Sequence, residues 1–161
     1  MQESLPIGEK DTAGEIHDRM KELGAKVLVE TVKGLANQTL MERPQLFFLE
    51  SIAFEIKHAP KIFTETCHID WSKTAEEVHN LIRGLSPYPG AFTHLQNKTL
   101  KIYRSEKEEE PTSMTPGEFE TDKKSFLRFA CADGFIQVKE LQLEGKKRMT
   151  VNEFLRGYRF E

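Results

Sequence analysis

Residues 69–92, IDWSKTAEEVHNLIRGLSPYPGAF, constrain the fold more than any other part of the sequence. Thr74 followed three residues later by Glu77 is a capping box, which predicts that a helix begins here. Apolar residues then recur at helical spacing: Val78, Leu81, Ile82 and Leu85. The prolines and glycine of residues 86–90 end this helix in a rigid turn. The segment therefore predicts a helix that leads through a fixed corner into a β domain, with Trp71 as a packing anchor.

Short alternating runs after the corner predict about five β-strands. They span residues 91–95, 99–104, 118–121, 125–130 and 135–143. Asp133-Gly134 between the last two is a strong hairpin signal, and the acidic residues 105–115 are expected to form a surface loop. Five short strands suit a small closed or half-closed barrel of the oligonucleotide-binding type. A second capping box, Thr150 with Glu153, predicts a terminal helix of two turns.

A long helix is predicted from Asp11 or Thr12 to about Ala36, which makes it about 37 Å long. Its apolar stripe comprises Ile16, Met20, Leu23, Val27, Leu28, Val32 and Leu35. Residues 1–8 could form a terminal strand, but so short a segment cannot cover this stripe. The imbalance predicts that the chain is a piece of a longer protein. Residues 37–69 have no persistent period and are expected to form an ordered linker.

The formal net charge of −3 conceals a segregation of charge along the chain. Residues 106–122 hold seven acids and one base, whereas residues 145–161 hold five bases and two acids. Cys67 and Cys131 have no metal-ligand spacing and predict reduced thiols. The sequence has no signal-peptide pattern and no apolar span of about 18 residues, so a cytoplasmic chain without a membrane partner is expected.

We find no catalytic constellation, because the five histidines are scattered and none has an orienting carboxylate nearby in the sequence. His17 and His79 are expected at the surface. The consecutive bases Lys146, Lys147 and Arg148 follow Gly145 and suit a phosphate backbone, although such triplets also occur as solvated loops. Further candidates for this basic surface are Lys61, Arg83, Lys98, Lys101 and Arg104. Trp71, Tyr88 and Phe92 are expected in the core rather than as stacking platforms for bases.

Several short motifs occur together in one order. They are Ile69-Asp70-Trp71, Ile82-Arg83-Gly84-Leu85, Pro87-Tyr88-Pro89-Gly90-Ala91, Leu141-Gln142, Gly145-Lys146-Lys147 and Met149. Further matches are Ile7, Asp11-Thr12, Leu23-Gly24-Ala25, Pro44-Gln45 and Ala59-Pro60-Lys61-Ile62. The set, which covers about residues 5–160, resembles the carboxy-terminal part of the methionyl-tRNA formyltransferase family.

The resemblance implies an α+β fold in three parts. Residues 1–37 would be the end of a Rossmann-like formyltransferase domain, residues 38–68 a linker, and residues 69–161 an oligonucleotide-binding-like small β-barrel with flanking helices. The family formylates methionyl initiator tRNA with 10-formyltetrahydrofolate as co-substrate, using Asn, His and Asp residues that lie before the stretch corresponding to Met1. This chain would therefore have no catalytic residue and no cofactor site, and would be inactive without the missing amino-terminal domain.

The resemblance also implies a partner, initiator methionyl-tRNA rather than DNA. Lys146, Lys147 and Arg148 would lie toward the tRNA, with Lys61 and Arg83 near the domain junction. Lys101 is a further candidate for tRNA binding because of its charge and not because of the resemblance. The acidic run 106–110 departs from a uniformly basic surface and must point away from it. Two alternatives remain open: the equivalent domain of a nucleotide-sugar formyltransferase, and a stand-alone protein-interaction domain. The Gly-Lys-Lys motif and Met149 favour the tRNA enzyme.

Overall fold

The computed structural model describes residues 1–42, 44 and 58–160. These residues form two compact units, the first comprising Met1–Gly8 with Ile16–Lys61 and the second Glu9–Glu15 with Ile62–Glu161. Residues 43 and 45–57 of the expected linker lie outside the described residues. The predicted boundaries at 37/38 and 68/69 stay a prediction.

The long helix α1 (Ala13–Ala36) begins and ends where the sequence predicts. Its start is fixed by a reciprocal cap, in which the Thr12 backbone N donates to Glu15 Oε2 at 2.8 Å and the Glu15 backbone N donates to Thr12 Oγ1 at 3.3 Å. Four residues of the predicted stripe, Met20, Leu28, Val32 and Leu35, are exposed, whereas Ile16, Leu23 and Val27 are half-buried. Residues 1–8 form no strand, so that expectation is wrong. An isolated strand has no neighbour to pair its backbone groups, and no strand occurs among the described residues of the first unit.

The second unit is built on a six-stranded antiparallel sheet with the order β1-β2-β5-β4-β3, and β6 pairs with β5. The strands are β1 (Ala91–Leu95), β2 (Lys98–Glu108), β3 (Phe119–Thr121), β4 (Leu127–Ala130), β5 (Phe135–Leu143) and β6 (Met149–Thr150). The mixed class is confirmed, and the sheet is a curled half-barrel. Register shifts near Arg104 accompany the curl, because bulges bend and twist a strand.

Strand β2 extends four residues beyond its predicted end, so the expectation of a loop from residue 105 is wrong at its start. The reason is the partner strand: β5 offers backbone groups as far as Phe135, which pairs with Glu108. Ladder pairing outweighs the loop-like composition of this acidic segment. The two-residue strand β6 was not predicted from the sequence.

Two helices and the segment before them complete the core of the second unit. Helix α2 (Ala75–Gly84) has the predicted Thr74 capping box, and Asp133 Oδ1 accepts a further hydrogen bond from the Ala75 backbone N at 2.7 Å. Trp71 stacks on Phe129 with ring centroids 4.7 Å apart, which confirms its packing role. Helix α3 (Val151–Gly157) follows the predicted second capping box. The buried cluster therefore unites both helices with the inner face of the sheet.

The proline corner, residues 86–90, joins α2 to β1 and is held by backbone hydrogen bonds at both of its ends. The Gly90 backbone N donates to Leu85 O at 2.9 Å, and the Gly14 backbone N donates to Ser86 O at 3.0 Å. Both X-Pro bonds of the corner are cis. Tyr88 lies between them and is 86% exposed, so its expected place in the core is wrong. The corner turns this side chain outward, which helical or strand periodicity cannot reveal.

Candidate nucleic-acid interface

The three consecutive bases lie on a tight turn between β5 and β6. Gly145 has φ +74°, a conformation that glycine tolerates best, and the Lys146 backbone N donates to Leu143 O at 2.9 Å. Lys146 and Lys147 are exposed and form no ion pair with any residue that the structure describes. Two lysines without an ion pair to the described residues therefore lie side by side on a turn of defined backbone geometry, and Lys147 contributes to lowering the pKa of Glu153.

Arg148 is held more tightly than its two neighbours. Its guanidinium lies 4.4 Å from the ring centroid of Tyr103 and pairs with the carboxylate of Glu140. Tyr103 in turn donates its hydroxyl hydrogen to Gln142 Oε1 at 2.8 Å, and Gln142 Nε2 donates to Lys146 O at 2.9 Å. Arg148 thus contributes less free charge than Lys146 and Lys147, while this network fixes the turn to the sheet.

Lys101 joins the same surface through β2. It is paired in register with Gln142, and its Nζ donates to Pro89 O at 3.0 Å. We call Lys101, Gln142, Lys146, Lys147 and Arg148 the basic face. The structure thus brings four of the six predicted tRNA-contacting residues together, joined through Gln142 and the proline corner. Glu144 lies in the same turn, and its carboxylate accepts a hydrogen bond from the Thr99 backbone N at 3.0 Å.

Arg83 and Arg104 lie near the start of α1 and are not part of the basic face. Arg83 donates to Asn80 Oδ1 at 2.6 Å and to the backbone O of Asp11 at 3.2 Å. Arg104 forms an ion pair with Glu15 at 2.7 Å. Both guanidinium groups therefore anchor the segment that begins α1. Lys61 is exposed and belongs to the first unit.

Arg83 and Arg104 also line a cleft of about 410 Å³ that contains His79. His79 is half-buried and its Nδ1 lies 3.0 Å from Ser105 Oγ, so the expectation of a surface histidine is wrong. Burial lowers the pKa of His79, and a hydrogen bond to the Glu9 backbone opposes this effect. The segment before α1 covers this helix face, which the local periodicity of α2 does not show.

Acidification is expected to destabilise the second unit through His79. Because its folded pKa lies below the ordinary value of 6.5, this contribution to stability is complete above about pH 6.5 and falls as pH decreases below it. Urea unfolding at several pH values between 5 and 8 measures how the free energy of unfolding depends on pH. His79→Gln should weaken this dependence of the unfolding free energy on pH. The same pH dependence in wild type and in His79→Gln would contradict this assignment.

The acidic run lies at the other end of the β2–β5 ladder. The paired positions run from Leu100↔Leu143 beside the basic turn to Glu108↔Phe135. Eight steps along a strand span about 26 Å at roughly 3.3 Å per residue. Arg128 neutralises much of this end, binding Glu108, Glu110 and Glu120 within 3.0 Å. The acids therefore do not oppose the lysines of the basic turn at close range.

Among the described residues we find no membrane-spanning helix, no candidate metal site and no reactive thiol at Cys131. None of their helices is long and apolar enough to cross a membrane, and no group of three or more His, Cys, Asp or Glu side chains among them could hold a metal ion. Cys67 and Cys131 are buried and free. Burial raises the pKa of Cys131 to about 12, so this thiol stays protonated and unreactive.

The long capped helix of the first unit and the curled half-barrel of the second place the chain in the mixed α and β class. The family model described as formyl transferase, C-terminal domain, matches residues 61–159, and the chain belongs to this family. It is 43% identical over 160 residues to the methionyl-tRNA formyltransferase of Phocaeicola vulgatus, covering 96% of this chain and 49% of that protein. It is 43% identical to the methionyl-tRNA formyltransferase of Azobacteroides pseudotrichonymphae, covering 97% and 50%.

The chain spans about half the length of the curated relatives that it matches. Among solved structures, a variant of HypX from Aquifex aeolicus aligns with a TM-score of 0.65 at 17% identity, covering 98% of this chain and 28% of that one. HypX in complex with tetrahydrofolic acid gives a TM-score of 0.64 at 18% identity, with 95% and 27% coverage. At this identity the likeness to HypX shows a shared fold and nothing further.

Proposed function

We propose that this chain is the tRNA-binding part of a methionyl-tRNA formyltransferase, and that its basic face binds phosphates of initiator methionyl-tRNA in the cytoplasm. The observation that carries the proposal is the pair Lys146 and Lys147, exposed on a fixed turn with no ion-pair partner among the described residues. Exposed lysines on a preorganised turn attract a polyanion and release its counterions. The sequence similarity to methionyl-tRNA formyltransferases supports the choice of tRNA.

The basic face supplies position rather than sequence recognition. Lysine ammonium groups bind phosphate as point charges, and such contacts carry no direct information on base identity. Holding the tRNA in one orientation raises the effective concentration of its methionyl amine at a formyl donor. We assign no catalytic group to this chain and expect it to be inactive alone with 10-formyltetrahydrofolate. Formylation of methionyl-tRNA by the purified chain would contradict this part of the proposal.

Lys146→Ala combined with Lys147→Ala is expected to weaken binding of initiator tRNA and to reduce its salt dependence. Each lost phosphate contact lowers the slope of log K against log salt by about 0.7–0.9, so the double variant should lose up to about 1.8. Fluorescence anisotropy with a labelled tRNA transcript, titrated at several salt concentrations, measures both quantities.

A matched control is Lys123→Ala combined with Lys124→Ala. These two lysines are also consecutive and exposed, but they lie in the turn between β3 and β4 rather than in the turn between β5 and β6. Their removal subtracts the same net charge and should leave the slope close to that of wild type. Equal slopes in wild type and in the Lys146/Lys147 double variant would refute phosphate binding at the basic turn.

A further inference from the structure

Tyr88 is the large aromatic side chain with the greatest exposure among the residues that the structure describes. Its ring is 86% exposed, whereas Trp71 and Phe129 are almost completely buried. Tyrosine carries a large apolar body that normally packs against other residues. A ring left this open on an ordered segment is available to a partner.

The backbone that carries Tyr88 is ordered before any partner arrives. Pro87 and Pro89 fix φ on both sides, and a residue that precedes proline is itself restricted. Hydrogen bonds anchor Ser86 to Gly14 and Gly90 to Leu85, as described above. A ring presented on such a segment loses little conformational entropy when it binds.

One cationic group, Lys101, contacts the backbone of the segment that carries this ring. Lys101 Nζ donates to the carbonyl of Pro89, the residue that follows Tyr88. Lys101 is in turn paired with Gln142, which holds the turn bearing Lys146. An exposed aromatic ring next to phosphate-binding cations is the combination by which proteins bind single-stranded nucleic acid.

We propose that Tyr88 stacks on an unpaired base of the RNA whose phosphates the basic face binds. The inference rests on the proposed function and adds the kind of nucleotide that is recognised. A base inside a duplex has both faces covered by its neighbours, so only an unpaired or terminal base can offer one to Tyr88. The ring distinguishes unpaired from paired nucleotides and tolerates any base identity, since every base has a π face.

Tyr88→Trp provides a direct optical test. Trp71 is the only tryptophan of the chain and is 8% exposed, so the wild-type emission should respond little to RNA. In the variant, stacking on a base should quench the new tryptophan as a short single-stranded oligonucleotide or a tRNA transcript is added. A long RNA duplex, in which terminal bases are a small fraction of all bases, should bind the basic face at equal phosphate concentration without this quenching. Equal quenching by the duplex would overturn the proposal.

Tyr88→Ala is expected to weaken binding of the single-stranded probe about 5- to 100-fold while leaving the salt slope unchanged. Tyr88→Phe should bind as wild type, because it keeps the ring. Since Tyr88 is exposed, its alanine variant should unfold at the same urea concentration as wild type, which excludes misfolding as the cause.

The two proposals fail in distinguishable ways. If Tyr88→Ala binds RNA as wild type while the Lys146/Lys147 variant loses salt dependence, stacking is refuted and phosphate binding stands. The exposed ring would then be a contact for a protein surface. If Tyr88→Ala weakens binding while the lysine variant keeps the full slope, stacking stands and the basic turn is not the phosphate site.

Discussion

Replacing Phe129 with alanine is expected to lower the free energy of unfolding of the second unit by about 3–5 kcal/mol. Phe129 is 1% exposed and lies in β4, where its ring stacks on Trp71. Truncation removes the transfer free energy of the ring and leaves a cavity between the sheet and the segment that leads into α2. Because the sheet and Trp71 hold the surrounding residues, the cavity cannot close fully.

Phe119→Ala is the matched control for this prediction. Phe119 pairs with Phe129 across β3 and β4 and its ring centroid lies 6.0 Å away, but the residue is 36% exposed. Phe119→Ala should lower the free energy of unfolding by clearly less than Phe129→Ala does, because part of the Phe119 surface is already in water. Urea unfolding followed by circular dichroism and by Trp71 fluorescence measures both variants. Similar losses in the two variants would show that the Trp71–Phe129 stack is not the centre of this core.

Local chemistry made much of this fold predictable. Thr74 with Glu77 and Thr150 with Glu153 encode helix starts within four residues, and both reciprocal caps occur as expected. All five predicted strands occur, because alternation and turn residues are properties of short segments. The sequence could not show how far β2 extends, since the length of its ladder depends on β5, a strand about thirty residues further along the chain.

The charged residues of the candidate site were predictable from the sequence, but the side-chain contacts that hold them in place were not. Lys146, Lys147 and Lys101 are conspicuous in the sequence, but the contacts of Tyr103 with Gln142 and Arg148 join residues about forty positions apart. Alternation along β2 does place Lys101 and Tyr103 on one face, and this signal could have indicated the tyrosine. Glu140 beside Arg148 could not be foreseen, because the pairing depends on the register of β6 against β5.

The separation of charge in the sequence becomes a separation in space along one ladder. The basic turn and the Arg128 carboxylate cluster lie at opposite ends of β2 and β5. A polyanion is attracted to the first end and repelled by residual negative charge at the second. If RNA binds at the basic face as proposed, the acidic run, which would weaken a uniformly basic surface, favours one orientation of that RNA.

Gly134→Ala is expected to produce the other large loss of stability, at the acidic end of this ladder. A Cβ at position 134 would lie 2.2 Å from the backbone O of Glu108, and this oxygen belongs to the ladder rather than to a flexible side chain. Either the turn between β4 and β5 or the end of β2 must move. We expect the free energy of unfolding to fall by about 3 kcal/mol, at the upper end of the range for overpacking, because backbone atoms must shift.

Gly24→Ala is the control, since its Cβ would meet no atom within 4 Å on the exposed face of α1. That substitution should stabilise the helix by up to about 1 kcal/mol. Because the basic turn lies at the opposite end of the ladder, folded Gly134→Ala should bind tRNA with the wild-type salt slope even though it unfolds at lower urea concentration. A changed slope in folded Gly134→Ala would mean that strain crosses the sheet, and that the two charged ends are mechanically coupled.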